Sequence, residues 1–282
     1  MDAGSFEGFS TVLEAPGILT VTFDRPETMN ASTIGMKRDL VELITRAQMD
    51  NAVRVLVFTG SGRAFWAGDD MKTYAGDTAG SIVGPIDPGH DTPLGTYGAL
   101  RAISQAVNVA VRGLDKLTVA AINGFAIQTG FSFALACDFR IAAESARMGS
   151  ATLRFALLPD EGGQWLLVQH LGVGRTIDFL MRKRIVSAHE ALELGLVHDV
   201  TTDDALAGAA MDLARELAEG PQVAMRLLKR SIYNAAELSF PHALDDIATK
   251  TAISDHHPDA REGAQSFREK RPAHFNDWLE SS

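Results

Sequence analysis

The feature that most constrains this chain is a β-α-β order near its start, with one strand that is apolar on both faces. Apolar side chains alternate with threonines from Ile18 to Phe23, which predicts a strand. An amphipathic helix follows from Ser32 or Thr33 to about Asp50. The next strand, from Val53 to Thr59, contains four consecutive apolar residues and is therefore covered on both sides. Crossover helices provide that cover in a parallel sheet, so the chain is predicted to be of the α/β class.

The alternation continues through the middle of the chain. The pattern predicts a helix from Leu100 to Leu114, a strand from Thr118 to Ile122, a short buried helix from Gly130 to Cys137, and a strand from Asp138 to Ala142. Between them, the segment from Tyr74 to Gly98 is rich in glycine, aspartate, threonine and proline. This composition predicts a long loop, and loops of that length usually lie near a functional site.

Strand signals end near Asp203, and only helices are predicted beyond it. Their expected ranges are Asp203 to Ala218, Pro221 to Ala236, Phe240 to Ser254, and Pro258 to Arg271. The chain therefore divides into a core at residues 1–200 and a helical region at 201–282, which we expect to pack on the core or on another subunit.

Charge and composition exclude several classes of function. The 282 residues carry 26 lysines and arginines against 36 aspartates and glutamates, a net charge of −10 that opposes nucleic acid and anionic membrane surfaces. No apolar stretch is long enough for a membrane span. Cys137 is the only cysteine, which excludes an internal disulfide and fits a reducing compartment. We therefore expect a cytoplasmic protein that uses neither nucleic acid nor membrane as a partner.

Two turns rich in small residues join a predicted strand to a helix. One contains Ala67-Gly68-Asp69-Asp70, and the other contains Ala126-Ile127-Gln128-Thr129-Gly130. Backbone N–H groups at such turns can hold an anionic oxygen, and two of them together form an oxyanion hole. Neither turn matches a phosphate-binding loop or a dinucleotide fingerprint, and ordinary strand-to-helix connections would also explain both.

These turns belong to a set of segments that resembles the crotonase, or enoyl-CoA hydratase/isomerase, superfamily in order and interval. The main segments are Phe65 to Lys72, Ala121 to Ala126, Leu135 to Ala142, and Pro159 to Gly163. Asp24-Arg25-Pro26 near the start and Phe267 to Arg271 near the end extend the likeness over nearly the whole chain.

The resemblance implies a fold and a class of substrate. The expected fold is a crotonase-like spiral of β-β-α units with a C-terminal helical region, assembled as a homotrimer or hexamer. The expected substrate is an acyl-CoA thioester whose carbonyl oxygen accepts hydrogen bonds from the N–H groups of Asp69 and Thr129. Coenzyme A enters as part of this substrate, and no separate cofactor is expected. Cations matched to the coenzyme A site are Lys72, Arg268, Lys270 and Arg271.

The chain departs from typical hydratases of this family at two positions. Those enzymes carry two glutamates that position and deprotonate water, and these positions fall on Ser132 and Thr152. Neither hydroxyl can act as a general base near neutral pH without a further base, so ordinary hydration is not expected.

Asp160 is the first candidate for the missing acid or base, and Glu161 is the second. Asp160 occupies a place that is aspartate in family members of other chemistry, including isomerases, hydrolases and dehalogenases. A role for Asp160 as the N-cap of the following helix explains the same residue, and a glutamate in a first helical turn is also favoured by the helix dipole.

Two tryptophans complete the candidate site. By their place in the motifs, Trp66 and Trp165 are predicted to line the acyl pocket, although aromatic residues among apolar neighbours are more often core. The eight histidines show no spacing typical of a metal site, and none is predicted.

The sequence leaves three functions open. We favour isomerisation or atypical hydration of an unsaturated acyl-CoA in fatty acid metabolism, through an enolate held in the oxyanion hole. Hydrolysis of a thioester or of a β-dicarbonyl bond is the second possibility. A catalytically silent acyl-CoA binding protein is the third, because both usual glutamates are absent.

Overall fold

The computed structural model describes residues 6–70 and 92–280 and arranges their strands in two sheets. The ten strands are β1 Phe9–Glu14, β2 Ile18–Phe23, β3 Val55–Gly60, β4 Ala64–Trp66, β5 Leu117–Ile122, β6 Phe125–Ile127, β7 Phe139–Ala143, β8 Arg147–Gly149, β9 Ile185–Ser187 and β10 Asp199–Thr201. The strands predicted around β2, β3, β5 and β7 are confirmed, with ends shifted by one or two residues.

The larger sheet has the order β1-β2-β3-β5-β7-β10. Only β1 runs antiparallel to its neighbour, and β2, β3, β5, β7 and β10 are parallel. The first four residues of β3 are buried, as the continuous apolar run predicted. The expected α/β class is therefore confirmed.

A second, smaller sheet has the order β4-β6-β8-β9 and was not predicted. Its strands have three residues each, too short for an alternation pattern to reveal. The strands β4, β6 and β8 each follow a strand of the larger sheet after a short turn. The chain thus repeats a long strand and a short strand, with helices between the repeats, which is the β-β-α spiral expected from the resemblance.

The predicted helices are present in the described part of the chain, and three further helices there were not predicted, at Pro93–Ala99, Ala188–Glu193 and Asp277–Glu280. They are α1 Ile34–Met49, α2 Pro93–Ala99, α3 Gln105–Gly113, α4 Thr129–Ala136, α5 Gly163–Met181, α6 Ala188–Glu193, α7 Leu206–Glu219, α8 Gln222–Ala235, α9 Phe240–Asp255, α10 Pro258–Glu269 and α11 Asp277–Glu280. A π-helical turn at Leu100–Ser104 joins α2 to α3. Thr33 caps α1 by accepting a hydrogen bond from the Met36 N–H, as expected.

The loop predicted from Tyr74 to Gly98 is wrong in its last part, where α2 begins at Pro93. Proline fits the first turn of a helix because its missing N–H has no intrahelical acceptor there. Thr92 caps this helix through its hydroxyl, which lies 3.0 Å from the Gly95 nitrogen. The earlier part of the predicted loop, up to residue 91, lies outside the described residues.

Two apolar layers cover the larger sheet. On one face, α1, α3, α4 and α5 bury a core that includes Phe23, Phe58, Trp66 and Phe133. On the other face, Leu206, Ala210, Ala214 and Leu217 of α7 pack against residues of β2, β3, β5 and β7. The first helix of the predicted C-terminal region therefore belongs to the core cover, and the division of the chain at residue 200 remains a prediction.

In the part of the chain that the structure describes, no helix is both long and apolar enough to cross a membrane.

Candidate active site

The two predicted donor turns lie side by side because the strands before them are parallel neighbours. Trp66 at the end of β4 is paired with Ala126 in β6. Asp69 follows Trp66 by three residues, and Thr129 follows Ala126 by three residues. Both therefore lie just beyond the carboxyl ends of β4 and β6. The Thr129 hydroxyl oxygen lies 3.4 Å from Asp69 Oδ1, which shows how closely the turns approach.

The first turn is held by backbone hydrogen bonds to the chain before α1. The Ser32 N–H donates to the Gly68 carbonyl at 2.9 Å, and the Asp70 N–H donates to the Ser32 carbonyl at 3.2 Å. Gly68 has a φ of +99°, a conformation that favours glycine. The Gly68 carbonyl also accepts a hydrogen bond from the Trp66 indole at 3.1 Å. These contacts fix the backbone at Asp69.

Trp66 is a core residue, which corrects its predicted place in the acyl pocket. Its side chain is fully buried, and its ring centre lies 5.0 Å from that of Phe23 and 5.3 Å from that of Phe133. Trp66 lies in a strand covered on both faces, where an indole packs as core. It contributes to the site through its bond to Gly68 only.

The second turn contains a strained residue. Gln128 has φ +55° and ψ −113°, although it carries a side chain. Gly130 approaches the first turn so closely that a Cβ at this position would lie 1.9 Å from the Trp66 carbonyl oxygen. Thr129 begins α4, and N–H groups in a first helical turn have no intrahelical acceptor. This turn can therefore present the Thr129 N–H to a bound oxygen.

The Asp69 carboxylate is bound by groups at the start of α1. Its Oδ1 atom lies 2.7 Å from the Ser32 hydroxyl and 2.7 Å from the Lys37 ammonium. The Lys37 side chain is only 5% exposed. A negative charge at the turn that would otherwise oppose an enolate is thus balanced by a buried cation.

Glu161 is the buried acid of this site. It is 3% exposed, and its Oε1 atom lies 2.5 Å from the Thr129 hydroxyl. Its Oε2 atom lies 3.4 Å from the Gln128 side-chain amide. Burial, followed by repulsion from Asp160 and Asp69, raises the pKa of Glu161 to about 7, while the Thr129 hydrogen bond and Lys37 act in the opposite direction.

Asp160 is partly exposed and is not the cap of the following helix. The N-cap of α5 is Gly162 at φ +94°, and no side chain makes a capping hydrogen bond there. The capping interpretation of Asp160 is therefore wrong, because the chain turns through Gly162 before the helix begins. Amide side chains on α3 hold the loop, since Gln105 donates to the Asp160 carbonyl at 3.0 Å and Asn108 to the Glu161 carbonyl at 2.9 Å.

The two substituted glutamate positions lie near Glu161. Ser132 is buried in α4, and a Cβ on Gly163 would lie 2.4 Å from its hydroxyl oxygen. Thr152 opens a 3-10 turn, and its hydroxyl lies 3.3 Å from that of Ser150. Ser150 in turn donates to the Gln128 side-chain oxygen at 2.9 Å.

Two cavities meet the loop that carries Asp160 and Glu161. The first has a volume of about 140 Å³ and is lined by both turns, Thr152 and Glu161. The second has a volume of about 550 Å³ and is lined by α3, α8 and the start of α5, including Trp165. The Arg112 guanidinium lies 4.7 Å from the ring centre of Trp165 and 4.2 Å from that of Tyr233. The acyl-pocket role of Trp165 remains a prediction.

The coenzyme A role of the four predicted cations remains a prediction. Lys72 lies outside the described residues. Arg268 and Lys270 lie exposed at the end of α10. Arg271 is held by Glu262, with nitrogen–oxygen distances of 2.6 and 2.9 Å, and by Glu269 at 2.6 Å. The trimer or hexamer through which these residues would approach a neighbouring site remains a prediction.

Lys37 and Gln128 make contacts in the candidate site that the sequence did not predict. Lys37 stands three residues before Leu40 and seven before Ile44, on the apolar stripe of α1, and a lysine at such a position indicates a buried partner. Gln128 carries no comparable signal, because its strained backbone depends on the approach of the two turns. Among residues 6–70 and 92–280, no group of three or more histidine, cysteine or acidic side chains could hold a metal ion.

Comparisons with known proteins agree with this fold. Residues 14–278 match the family model described as enoyl-CoA hydratase/isomerase. The chain is 32% identical over 262 residues to the 1,2-epoxyphenylacetyl-CoA isomerase of Escherichia coli, covering 92% of this chain and 95% of the relative. It is 33% identical over 259 residues to a probable enoyl-CoA hydratase of Rhodobacter capsulatus, covering 92% and 94%.

A solved enoyl-CoA hydratase from Bacillus anthracis superposes with a TM-score of 0.86 at 30% identity, covering 95% of this chain and 99% of that structure. The chain therefore belongs to the enoyl-CoA hydratase/isomerase family of the crotonase superfamily. It is an enzyme of that family, and its fold is the crotonase fold.

Proposed function

We propose that the enzyme isomerises an unsaturated acyl-CoA thioester, with Glu161 moving a proton between two carbons of the acyl group. The observation that carries the proposal is the burial of Glu161 beside the two donor turns, with the Thr129 hydroxyl 2.5 Å from its carboxylate. A pKa of about 7 suits one group for both acid and base steps near neutral pH.

In the proposed reaction, the thioester carbonyl oxygen of a 3-enoyl group accepts hydrogen bonds from the N–H groups of Asp69 and Thr129. The Glu161 carboxylate removes a proton from C2, and the electron pair moves onto the carbonyl oxygen as a dienolate. The protonated Glu161 then returns the proton at C4, which gives the 2-enoyl thioester. One proton leaves and one arrives, so neither water nor a further reactant is consumed.

Isomerisation fits the side chains of this site better than hydration does. Water addition in typical family hydratases uses two glutamates, and this chain has Ser132 and Thr152 at those positions. A single acid that exchanges its proton is sufficient for a double-bond shift.

The test is mass spectrometry and proton NMR of acyl-CoA thioesters incubated with the protein in D₂O. The panel contains 2-enoyl, 3-enoyl, dienoyl, 3-hydroxyacyl and 3-oxoacyl thioesters. We expect deuterium uptake together with a shifted double bond in the 3-enoyl or dienoyl members. The same change should be lost with Glu161→Gln and retained, at a lower rate, with the matched neighbour variant Asp160→Asn.

Other products would assign other functions. Added water would indicate atypical hydration, and free coenzyme A would indicate hydrolysis. Binding of the thioesters without any chemical change would identify a silent binding protein. Full turnover by Glu161→Gln would overturn the role given to Glu161, and full turnover by the double variant with Asp160→Asn would overturn the role of both acids.

A further inference from the structure

Lys37 is a buried cation directly behind the first donor turn. Its ammonium lies 2.7 Å from Asp69 Oδ1 and 3.1 Å from the Ser104 hydroxyl. Among the described residues, Asp69 is the only acid within ion-pair distance of Lys37. A buried lysine is costly unless it is paired, and the Asp69 carboxylate provides that pairing.

Thr129 connects this ion pair to Glu161. Its hydroxyl oxygen lies 2.5 Å from Glu161 Oε1 and 3.4 Å from Asp69 Oδ1. A hydroxyl has one hydrogen to donate, and therefore serves one carboxylate at a time. When Glu161 is ionised, the shorter distance directs that hydrogen to Glu161. When Glu161 is protonated, its own O–H can donate to Thr129, and the Thr129 hydrogen is free to turn to Asp69.

The charges around Glu161 come from three elements. Asp160 lies beside it on the same loop, Asp69 faces it from the first turn, and Lys37 lies on α1. The second acid of the first turn, Asp70, lies 3.4 Å from Arg25. The groups that reach Glu161 from α3 and from the second turn are the neutral amides of Asn108 and Gln128.

We propose that Lys37, Asp69 and Thr129 form a positioning relay that sets when Glu161 holds its proton. Lys37 forms the ion pair with Asp69, and Asp69 offers the Thr129 hydrogen an acceptor whenever Glu161 becomes protonated. The proton that leaves the substrate is thereby accommodated without a new unpaired donor in the buried site. The inference rests on the proposed role of Glu161, and it adds three side chains that act through Glu161, separately from the backbone N–H groups of Asp69 and Thr129 that hold the substrate in the proposed reaction.

The primary test is a titration that needs no substrate. Protein labelled with ¹³C at the glutamate carboxyl carbon is titrated by NMR, and the Glu161 signal is assigned by its absence in Glu161→Gln. Asp69→Asn should move the Glu161 midpoint to lower pH, because a repelling negative charge is removed. Thr129→Val should move it to higher pH, because the ionised form loses a hydrogen bond. Asp70→Asn is the matched control on the same turn and should leave the midpoint in place.

A double variant tests the cation without leaving a lone buried charge. Lys37→Met combined with Asp69→Asn replaces the ion pair by two neutral side chains, so the fold should tolerate it better than Lys37→Met alone. We expect its midpoint to lie above that of Asp69→Asn, since Lys37 also favours the ionised form of Glu161. In the Thr129→Val background, Asp69→Asn should shift the Glu161 midpoint by less than it does in the wild type, because the hydroxyl that links the two acids is missing.

The relay and the proposed function fail in different ways. Equal midpoints in wild type, Asp69→Asn and Thr129→Val would overturn the relay, even if Glu161→Gln abolishes turnover. Midpoints that move as expected, with a pH profile of deuterium exchange that does not follow them, would overturn the role of Glu161 and leave the relay intact. If both hold, the acid limb of the exchange rate should move with the midpoint, by about tenfold in rate for each pH unit.

Discussion

Two acids in this protein have opposite surroundings: Glu161, which is buried, and Asp138, whose side chain is 10% exposed. The Asp138 carboxylate accepts four hydrogen bonds: from the Thr118 N–H and hydroxyl at 2.8 Å each, from Lys229 at 2.7 Å, and from Tyr233 at 2.6 Å. Glu161 accepts one short hydrogen bond from Thr129 and a long one from Gln128, and it faces two further acids.

The difference separates an acid that holds the fold together from the acid to which we assign the proposed reaction. A carboxylate that accepts hydrogen bonds from several donors fixes the chain around it, and Asp138 in this way joins β5, the start of β7 and α8. A buried carboxylate with few donors and acidic neighbours can take up and release a proton near neutral pH. Four experiments test this contrast.

Glu161→Gln should lower turnover by about 10²–10⁴-fold, the usual contribution of a positioned acid or base. The substitution keeps the shape of the side chain and removes its proton exchange. The measurement is the rate of product formation with the thioester that reacts fastest in the panel. If Glu161→Gln lowered turnover less than Asp160→Asn does, the result would contradict the role proposed for Glu161.

Asp138→Asn should lower the free energy of unfolding by about 3–5 kcal/mol, because it leaves Lys229 as a buried charge without its partner. Turnover per folded molecule should stay unchanged, since Asp138 lies outside the candidate site. Urea unfolding measures the first quantity. Glu42→Gln, which breaks an exposed pair with Arg46, is the control and should have no measurable effect. Equal losses in the two variants would show that Asp138 has no structural role.

The stability of the wild type should fall relative to Glu161→Gln as pH rises from about 4.5 to 7. The folded state raises the pKa of Glu161 to about 7, so between these values it binds more protons than the unfolded chain, and rising pH favours unfolding. The shift corresponds to a difference of about 3 kcal/mol between the ends of this range. Thermal unfolding of both proteins at several pH values checks it, and parallel curves would contradict the raised pKa.

Gln128→Gly should raise stability by about 1 kcal/mol while lowering turnover several-fold. Glycine relieves the backbone strain at φ +55°, and the variant loses the amide that lies between Ser150 and Glu161. Gln128→Ala is the control, since it loses the amide but keeps the strain, and should therefore not be stabilised. If Gln128→Gly were as active as the wild type, the amide would have no part in the site.

The sequence predicted more of the fold than of the site. Apolar periodicity predicts most of the helices and the strands β2, β3, β5 and β7. It does so because buried positions recur at regular intervals along a helix or a strand. The three-residue strands of the small sheet were not predicted, since three residues are too few to show a period. Their pairing is decided by strands that are distant along the chain.

The site divides in the same way. The sequence by itself determined the two turns, the absence of glutamate at Ser132 and Thr152, and the presence of Asp160 and Glu161, because these are matters of residue type and interval. It ranked Asp160 before Glu161 and placed Trp66 in a pocket. Only the tertiary structure showed that Glu161 is the buried acid and that Trp66 is core.

Burial and charge pairing depend on which segments meet in space, and for Glu161 those segments are far apart along the chain. Thr129 approaches it from 32 residues away, and Asp69, paired with Lys37 of α1, faces it from the turn after β4. The chemistry available to a carboxylate is set by these neighbours, so residue type and spacing identified the candidates, and the packing of distant segments determined which of the two acids is buried.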